Sequence, residues 1–176
     1  MQRLRIASIT KAQSRLLHYD MGAICYSGFL YIEKVENRLN TEAYQEILER
    51  FFSGSANVLL LPEKCSKFRF QQDNAPPHKP IKIKEFIKEN GFIYHSHPPN
   101  STDLNPIELV WSKMKGIVEL KSPSNKSELE ESIFETFDQI DDLFVQHCIE
   151  HLKQYLPEVI QAQGDYPKQF LEIQEE

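Results

Sequence analysis

Apolar residues follow a strand-like spacing in three parts of the chain. Residues 22–35 are rich in aromatic and β-branched types around Gly28, which predicts two short strands joined by a turn. Residues 67–73 alternate between apolar and polar types, and this pattern predicts a strand that ends at Asp73. Residues 92–97 predict a further strand, which Pro98 and Pro99 must end.

The intervening segments carry apolar residues at helical spacing. The order of two strands, helix, strand, helix, strand and further helices predicts an α/β fold class with a mixed sheet flanked by helices. Three helices have a predicted start: the first at a cap of Asn40 or Thr41, the third at a cap of Asn105, and the fourth at a capping box of Ser127 and Glu130. The second helix is predicted over Pro80–Asn90. The last is predicted over Asp142–Tyr155 and is expected to stop at Pro157.

Length and composition indicate one soluble domain spanning residues 1–176. The chain has 40% hydrophobic and 26% charged residues, as globular proteins do. No apolar run approaches the roughly 18 residues of a membrane span, so no membrane partner is expected. The three cysteines match neither a zinc motif nor a disulfide framework, which favours an intracellular location.

The charge distribution allows a local basic surface on an acidic protein. The net charge of −6 is unfavourable for binding nucleic acid as a whole. Acidic residues, however, concentrate in residues 127–176, whereas lysines and one arginine dominate residues 64–88. The sequence therefore allows a basic patch on residues 64–88.

Two carboxylates have the placement expected of metal ligands. Asp73 ends a predicted strand, Glu108 lies in the first turn of a predicted helix, and 34 residues separate them. A strand end and a helix start can meet at one edge of a sheet, where carboxylates hold Mg²⁺ or Mn²⁺. Simpler interpretations remain open: Glu108 can form a capping box with Asn105, and Asp73 can form a turn.

Two sequence blocks resemble the Tc/mariner superfamily of transposases. Residues 72–78, QDNAPPH, resemble the block around the second catalytic aspartate of that family. Residues 101–111, STDLNPIELVW, resemble the block around its third carboxylate, and the gap of 34 residues ending in Glu is similar to the Tc-one-like branch. Residues 21–28 resemble a strand of the same domain, so the likeness covers nearly the whole chain.

The resemblance implies an RNase H-like catalytic (DDE) domain that acts in DNA transposition and DNA integration. It implies that Asp73 and Glu108 bind Mg²⁺ or Mn²⁺, while Asp103 in the same block is structural. It further implies DNA as a partner, a homo-oligomer, and a nuclear location in a eukaryote. His78, Lys79 and Lys82 are the candidate contacts to nucleic acid.

The sequence departs from the family pattern at its beginning. The family's first carboxylate lies on a strand before Gly22, and no residue matches it; Asp20 is a weak substitute. We therefore expect an N-terminally truncated domain that lacks its first strand and a helix-turn-helix region. That leaves the Gly22 strand partly uncovered and prone to association. Enzyme activity is uncertain: the chain is either an inactive transposase domain or a repurposed, non-catalytic DNA-binding or interaction module.

One further pair of residues has a metal-ligand spacing. His147 and His151 are four residues apart on the last predicted helix, which places them on one face. No third ligand is evident in the sequence, so an ordinary helix surface is the simpler interpretation of the two histidines.

Overall fold

The computed structural model describes residues 6–11, 20–35, 39–54 and 69–165. The predicted loop after residue 53 and the first two residues of the predicted 67–73 strand lie largely outside these ranges. The strands are β1 (Ile6–Lys11), β2 (Asp20–Cys25), β3 (Gly28–Lys34), β4 (Arg69–Gln72) and β5 (Ile93–His95). The helices are α1 (Thr41–Ser53), α2 (Ile81–Glu89), α3 (Ile107–Lys121), α4 (Lys126–Gln139) and α5 (Asp142–Gln161), with short 3₁₀ helices at Pro76–His78 and Thr102–Leu104.

The strands form one mixed sheet in the order β3-β2-β1-β4-β5. The strand β2 runs antiparallel to both of its neighbours, whereas β1, β4 and β5 run parallel to one another. The carboxyl ends of β1 and β4 therefore lie at the same edge of the sheet as the start of β2. This confirms the mixed α/β sheet expected from the sequence.

The expectation that the first strand is missing is wrong. The strand β1 occupies the centre of the sheet, where Ser8 pairs with Ile24 and Ile9 pairs with Gln72. Its β-branched residues favour an extended backbone, and without it both β2 and β4 would have unpaired backbone groups in mid-sheet. The Gly22 strand is therefore covered on both sides.

Two hydrophobic cores lie on opposite faces of the sheet. Alternation along β2 sends Met21, Ala23 and Cys25 into the core beneath α1 and α2, and Ile24 into the core beneath α3, α4 and α5. The predicted stripe of α3 is confirmed, since all four of its apolar residues are buried: Ile107, Trp111, Met114 and Val118. Helices thus cover both faces of the sheet, and its edges hold the polar residues. None of the described helices is long and apolar enough to cross a membrane.

The predicted boundaries of α4 and α5 are wrong. The helix α4 begins one residue before Ser127, because Asn125 caps it by accepting a hydrogen bond from the backbone N–H of Glu128 at 3.0 Å. The helix α5 continues through Pro157 to Gln161. A proline removes one backbone hydrogen bond, and α5 tolerates that loss at an exposed position because its other face is packed into the core.

Candidate metal site at the sheet edge

Asp73 follows β4 directly and is held by the turn that ends the strand. Its Oδ1 atom accepts a hydrogen bond from the backbone N–H of Ala75 at 3.0 Å. The next residue, Asn74, donates from its side chain to the backbone oxygen of His97 at 2.8 Å, which ties this turn to the segment after β5. The DNAPP sequence therefore both ends the strand and fixes the carboxylate at the edge of the sheet.

His78 lies beneath Asp73 and makes a close contact with it. The Nδ1 atom of His78 is 2.5 Å from Asp73 Oδ1, and the His78 side chain is fully buried while that of Asp73 is 17% exposed. The imidazole ring packs against the Tyr44 ring with centroids 4.1 Å apart. A charge-assisted hydrogen bond of this length orients the carboxylate. Asp73 is thus fixed from the protein side and keeps a partly exposed face.

Tyr44 and Gln72 complete the support beneath the turn. The Tyr44 hydroxyl donates to Gln72 Oε1 at 2.6 Å, and Gln72 Nε2 donates to the backbone oxygen of His78 at 2.8 Å. Burial, together with the negative charge of Asp73, raises the pKa of Tyr44 well above its ordinary value, so the phenol remains a donor. This buried network links α1 and β4 to the 3₁₀ helix that carries His78.

A second network connects β4 to the segment before α3. Gln71 Nε2 donates to the backbone oxygen of Leu104 at 3.0 Å and lies 3.4 Å from His97 Nδ1. His97 Nε2 is 2.8 Å from the backbone oxygen of Ser101. These contacts fix the entry of α3 relative to β4, and therefore fix Glu108 relative to Asp73.

Glu108 lies in the first turn of α3 and is half-buried. Burial, and then the negative charge of Asp73, raises its pKa from 4.5 to about 7. The negative charge of Asp73 therefore acts on the carboxyl of Glu108. The capping-box interpretation of Asn105 and Glu108 is wrong: α3 has Pro106 as its cap residue and no side-chain capping hydrogen bond.

The chemistry of this pair fits a divalent cation, but the pair is only part of a site. Two carboxylates that repel each other supply hard oxygen donors, which Mg²⁺ and Mn²⁺ prefer. In the part of the chain that the structure describes, however, no three His, Cys, Asp or Glu residues are grouped to hold a metal. The central strand β1, with the sequence IASITK, supplies no acidic residue.

The three candidate contacts to nucleic acid differ in exposure. Lys79 and Lys82 are exposed, and Lys82 pairs with Glu42 at 2.8 Å. His78 is only 1% exposed, so its side chain presents no surface to DNA in this structure. Its burial follows from the hydrogen bond to Asp73 and the packing on Tyr44.

Other polar residues have structural roles that the sequence only partly indicated. Asp103 accepts a hydrogen bond from the Tyr155 hydroxyl at 3.1 Å, consistent with the expected structural role. Tyr44, Gln72 and His97 were not predicted as supports of the site. The one available signal was the pair of adjacent glutamines, Gln71 and Gln72, at the end of a strand that otherwise alternates between apolar and polar residues.

Comparisons with known proteins give one consistent family. A family model described as DDE superfamily endonuclease matches residues 5–130. The Tc3 transposase of Caenorhabditis elegans is 30% identical over 146 residues, which cover 82% of this chain and 43% of that protein. The Tcb2 transposase of Caenorhabditis briggsae is 29% identical over 122 residues, which cover 68% of this chain and 41% of that protein.

Solved structures agree on the fold. The Mos1 transposase catalytic domain, determined with raltegravir and Mn, has a TM-score of 0.78 at 20% identity, covering 93% of this chain and 84% of that one. This likeness supports the RNase H-like fold. The chain spans less than half the length of the two curated relatives. By the family match and the Tc3 relationship, the chain belongs to the DDE superfamily endonucleases, as a catalytic domain of the Tc/mariner transposase type.

Proposed function

We propose that this chain holds the second and third carboxylates, Asp73 and Glu108, of a divalent-metal site for phosphodiester cleavage and strand transfer in DNA transposition. The observation that supports this most directly is the pKa of Glu108, raised to about 7 by burial and then by the charge of Asp73. When two carboxylates repel each other, the state in which both are ionised is disfavoured unless a cation lies between them. This is the property expected of a metal site without its metal.

The protein's own part in this chemistry is to hold and orient two carboxylates. Asp73 is fixed by Ala75 and His78, and Glu108 is fixed by the start of α3. A bound Mg²⁺ or Mn²⁺ would supply Lewis acidity and an activated oxygen nucleophile at this edge. The half-buried position of Glu108 limits water around the pair, which strengthens its attraction for a cation.

DNA is the proposed substrate and partner. The Mos1 transposase has been solved as a paired-end complex with the left transposon end, and this chain matches that structure with a TM-score of 0.70 at 18% identity. The exposed Lys79 and Lys82 lie next to the proposed site in sequence and offer cations for phosphate contacts. We also propose a homo-oligomer as the working form and, because the proposed substrate is DNA, a nuclear location in a eukaryotic cell.

We further propose that this chain alone does not cleave DNA. The three-carboxylate arrangement of the family needs an acidic residue on the central strand, and IASITK contains none. A site with two protein carboxylates holds two cations loosely, and phosphoryl transfer needs them fixed to within a fraction of an ångström. The net charge of −6 adds little non-specific attraction for DNA.

A nicking assay on supercoiled plasmid with Mn²⁺ tests this proposal. The chain is compared with Asp73→Ala, Glu108→Ala and Asp20→Ala variants, and the expected result is background nicking by all four. If the unaltered chain nicks DNA while Asp73→Ala and Glu108→Ala do not, the site is complete and the proposed inactivity is wrong. Loss of nicking in Asp20→Ala as well would identify Asp20, at the start of β2 on the same sheet edge, as the third carboxylate.

A non-catalytic DNA-binding or interaction module is the second candidate, favoured by the same acid-free central strand. Such a module needs the fold and the lysines but not the metal. Under this alternative, Glu108→Gln leaves DNA binding unchanged with or without Mn²⁺. Under the first proposal, Mn²⁺ strengthens DNA binding and Glu108→Gln removes that dependence.

A further inference from the structure

A surface groove of about 890 Å³ lies between α3 and α5, and neither Asp73 nor Glu108 lines it. The polar residues on its α5 side are His147, Glu150, His151 and Gln154. Both histidines are exposed. Together with Gln154 they follow a single stripe of the helix at positions i, i+4 and i+7. The groove is therefore bordered by two imidazoles and a side-chain amide.

The spacing of the two histidines suits chelation of one metal ion. Four residues of α-helix span about 6 Å, and imidazoles at i and i+4 can approach the same ion at roughly 2 Å from each nitrogen. The His151 ring is stacked on Tyr155 with centroids 5.9 Å apart and an angle of 18° between the planes. This stacking limits the rotation of His151, which reduces the entropy cost of binding a metal.

The neighbouring groups define what kind of site this is. Cys148 lies between the two histidines in the sequence, and its side chain is buried. Burial raises the pKa of its thiol to about 11, so Cys148 supplies no thiolate. Lys113 on the opposite wall lies 3.8 Å from the centre of the Phe144 ring, and its charge opposes a cation in the groove. No third His, Cys, Asp or Glu within the described ranges completes a metal set.

The sequence HCIEH also has the spacing of a helix motif of metal hydrolases, in which a glutamate next to one histidine activates water. Glu150 does not fit that role here. Its Oε1 atom accepts a hydrogen bond from the Tyr26 hydroxyl at 2.6 Å, which joins α5 to the turn between β2 and β3. This contact argues against a hydrolytic role for Glu150.

We propose that His147 and His151 form a second metal site, selective for imidazole-preferring cations such as Zn²⁺, Ni²⁺ or Cu²⁺. Imidazole nitrogen suits these ions, whereas Mg²⁺ and Mn²⁺ prefer the oxygen donors of Asp73 and Glu108. Two protein ligands leave coordination positions open to water and to Gln154. The site is independent of the proposed transposase chemistry and stands if that chemistry fails.

The test is a calorimetric titration with Zn²⁺ and, separately, Ni²⁺, carried out on the untagged, unaltered chain and on the same chain with Asp73→Ala and Glu108→Ala. We expect that His147→Ala and His151→Ala each weaken binding by at least about tenfold, because each leaves a single imidazole. His95→Ala is the matched control, since His95 is equally exposed but lies on the short strand β5.

The outcomes are distinguishable because both histidines are exposed and their loss leaves the core intact. Circular dichroism verifies that each variant is folded. Binding that is equally strong in the chain and in both histidine variants would overturn the proposal. Binding that requires His95, or that disappears only when Asp73 and Glu108 are replaced, would also overturn it.

Discussion

At the scale of single residues, the sequence predicts the two carboxylates of the proposed site, but it does not predict the residues that support them. Asp73 and Glu108 stand in short motifs whose order and spacing are visible in the sequence. His78 was predicted from the same motif as a contact to DNA, yet it is buried against Asp73 and Tyr44. Its partner Tyr44 lies 29 residues upstream of Asp73 on α1, and only the folded chain brings that residue to the site.

The raised pKa of Glu108 predicts a pH-dependent stability. A carboxyl whose pKa rises from 4.5 to about 7 on folding stabilises the folded chain below about pH 4.5 and loses that contribution as the pH rises to about 7. Since Glu108 is half-exposed, we expect only roughly 1–2 kcal/mol. Glu108→Gln should therefore increase the free energy of unfolding at pH 8 relative to the unaltered chain, and this gain should vanish near pH 4.5.

Urea unfolding at pH 4.5 and pH 8 in the presence of EDTA measures the effect. The matched control is Glu119→Gln on the same helix, where the carboxylate is exposed and pairs with Lys115 at 3.7 Å. The control should show no such gain. A Glu108→Gln chain that is equally or less stable than the parent at pH 8 would mean that neither burial nor Asp73 disfavours the ionised carboxyl of Glu108.

At the scale of elements, the presence and type of each helix or strand were more predictable than the residues at which it begins and ends. The strand-and-helix order follows from spacing that is local to each segment. Pro157 illustrates the limit: locally it ends a helix, but α5 continues because Val145, Ile149 and Leu152 pack into the core. The centre of the sheet was harder still, because the residues of β1 form a strand only when β2 and β4 flank them.

The turn between β2 and β3 depends on Gly28. Its φ of +133° is disfavoured for residues with a side chain, and a Cβ atom there would overlap with the carboxylate of Asp142 at the start of α5. Gly28→Ala should lower the free energy of unfolding by about 1–3 kcal/mol. Gly116→Ala on α3, where a Cβ meets nothing within 4 Å, should instead raise it by up to about 1 kcal/mol.

Thermal unfolding of the two alanine variants side by side checks this contrast. The double variant Gly28→Ala with Asp142→Ala should recover the part of the loss that is due to overlap, but not the part due to the backbone. A Gly28→Ala chain as stable as Gly116→Ala would show that α5 does not pack against this turn as described.

At the scale of the whole molecule, the central strand of the sheet bears on both the fold and the proposed metal site. The central strand of the sheet is present and paired on both sides, but its sequence contains no acid. Ile9 pairs with Gln72, so Thr10 is level with Asp73 at the edge of the sheet.

This register predicts a gain of metal binding from a single substitution. Thr10→Asp should strengthen Mn²⁺ binding by at least about tenfold, because affinity for hard cations increases with the number of carboxylates. Lys11→Asp also adds an acid at the end of β1, but at the alternate register position, and should have little effect. Mn²⁺ titrations of the two variants decide this point, and equal gains would indicate a general charge effect and not a site.

The most direct test of the account is whether Asp73 and Glu108 share a cation. Electron paramagnetic resonance measures free Mn²⁺ during titration of the chain, with His147→Ala and His151→Ala in the background to remove the second site. We predict saturable binding that falls by at least about tenfold in Asp73→Ala and in Glu108→Ala, and that is unchanged in the Glu119→Ala control. Mn²⁺ binding that is the same in all of these chains would contradict the central claim.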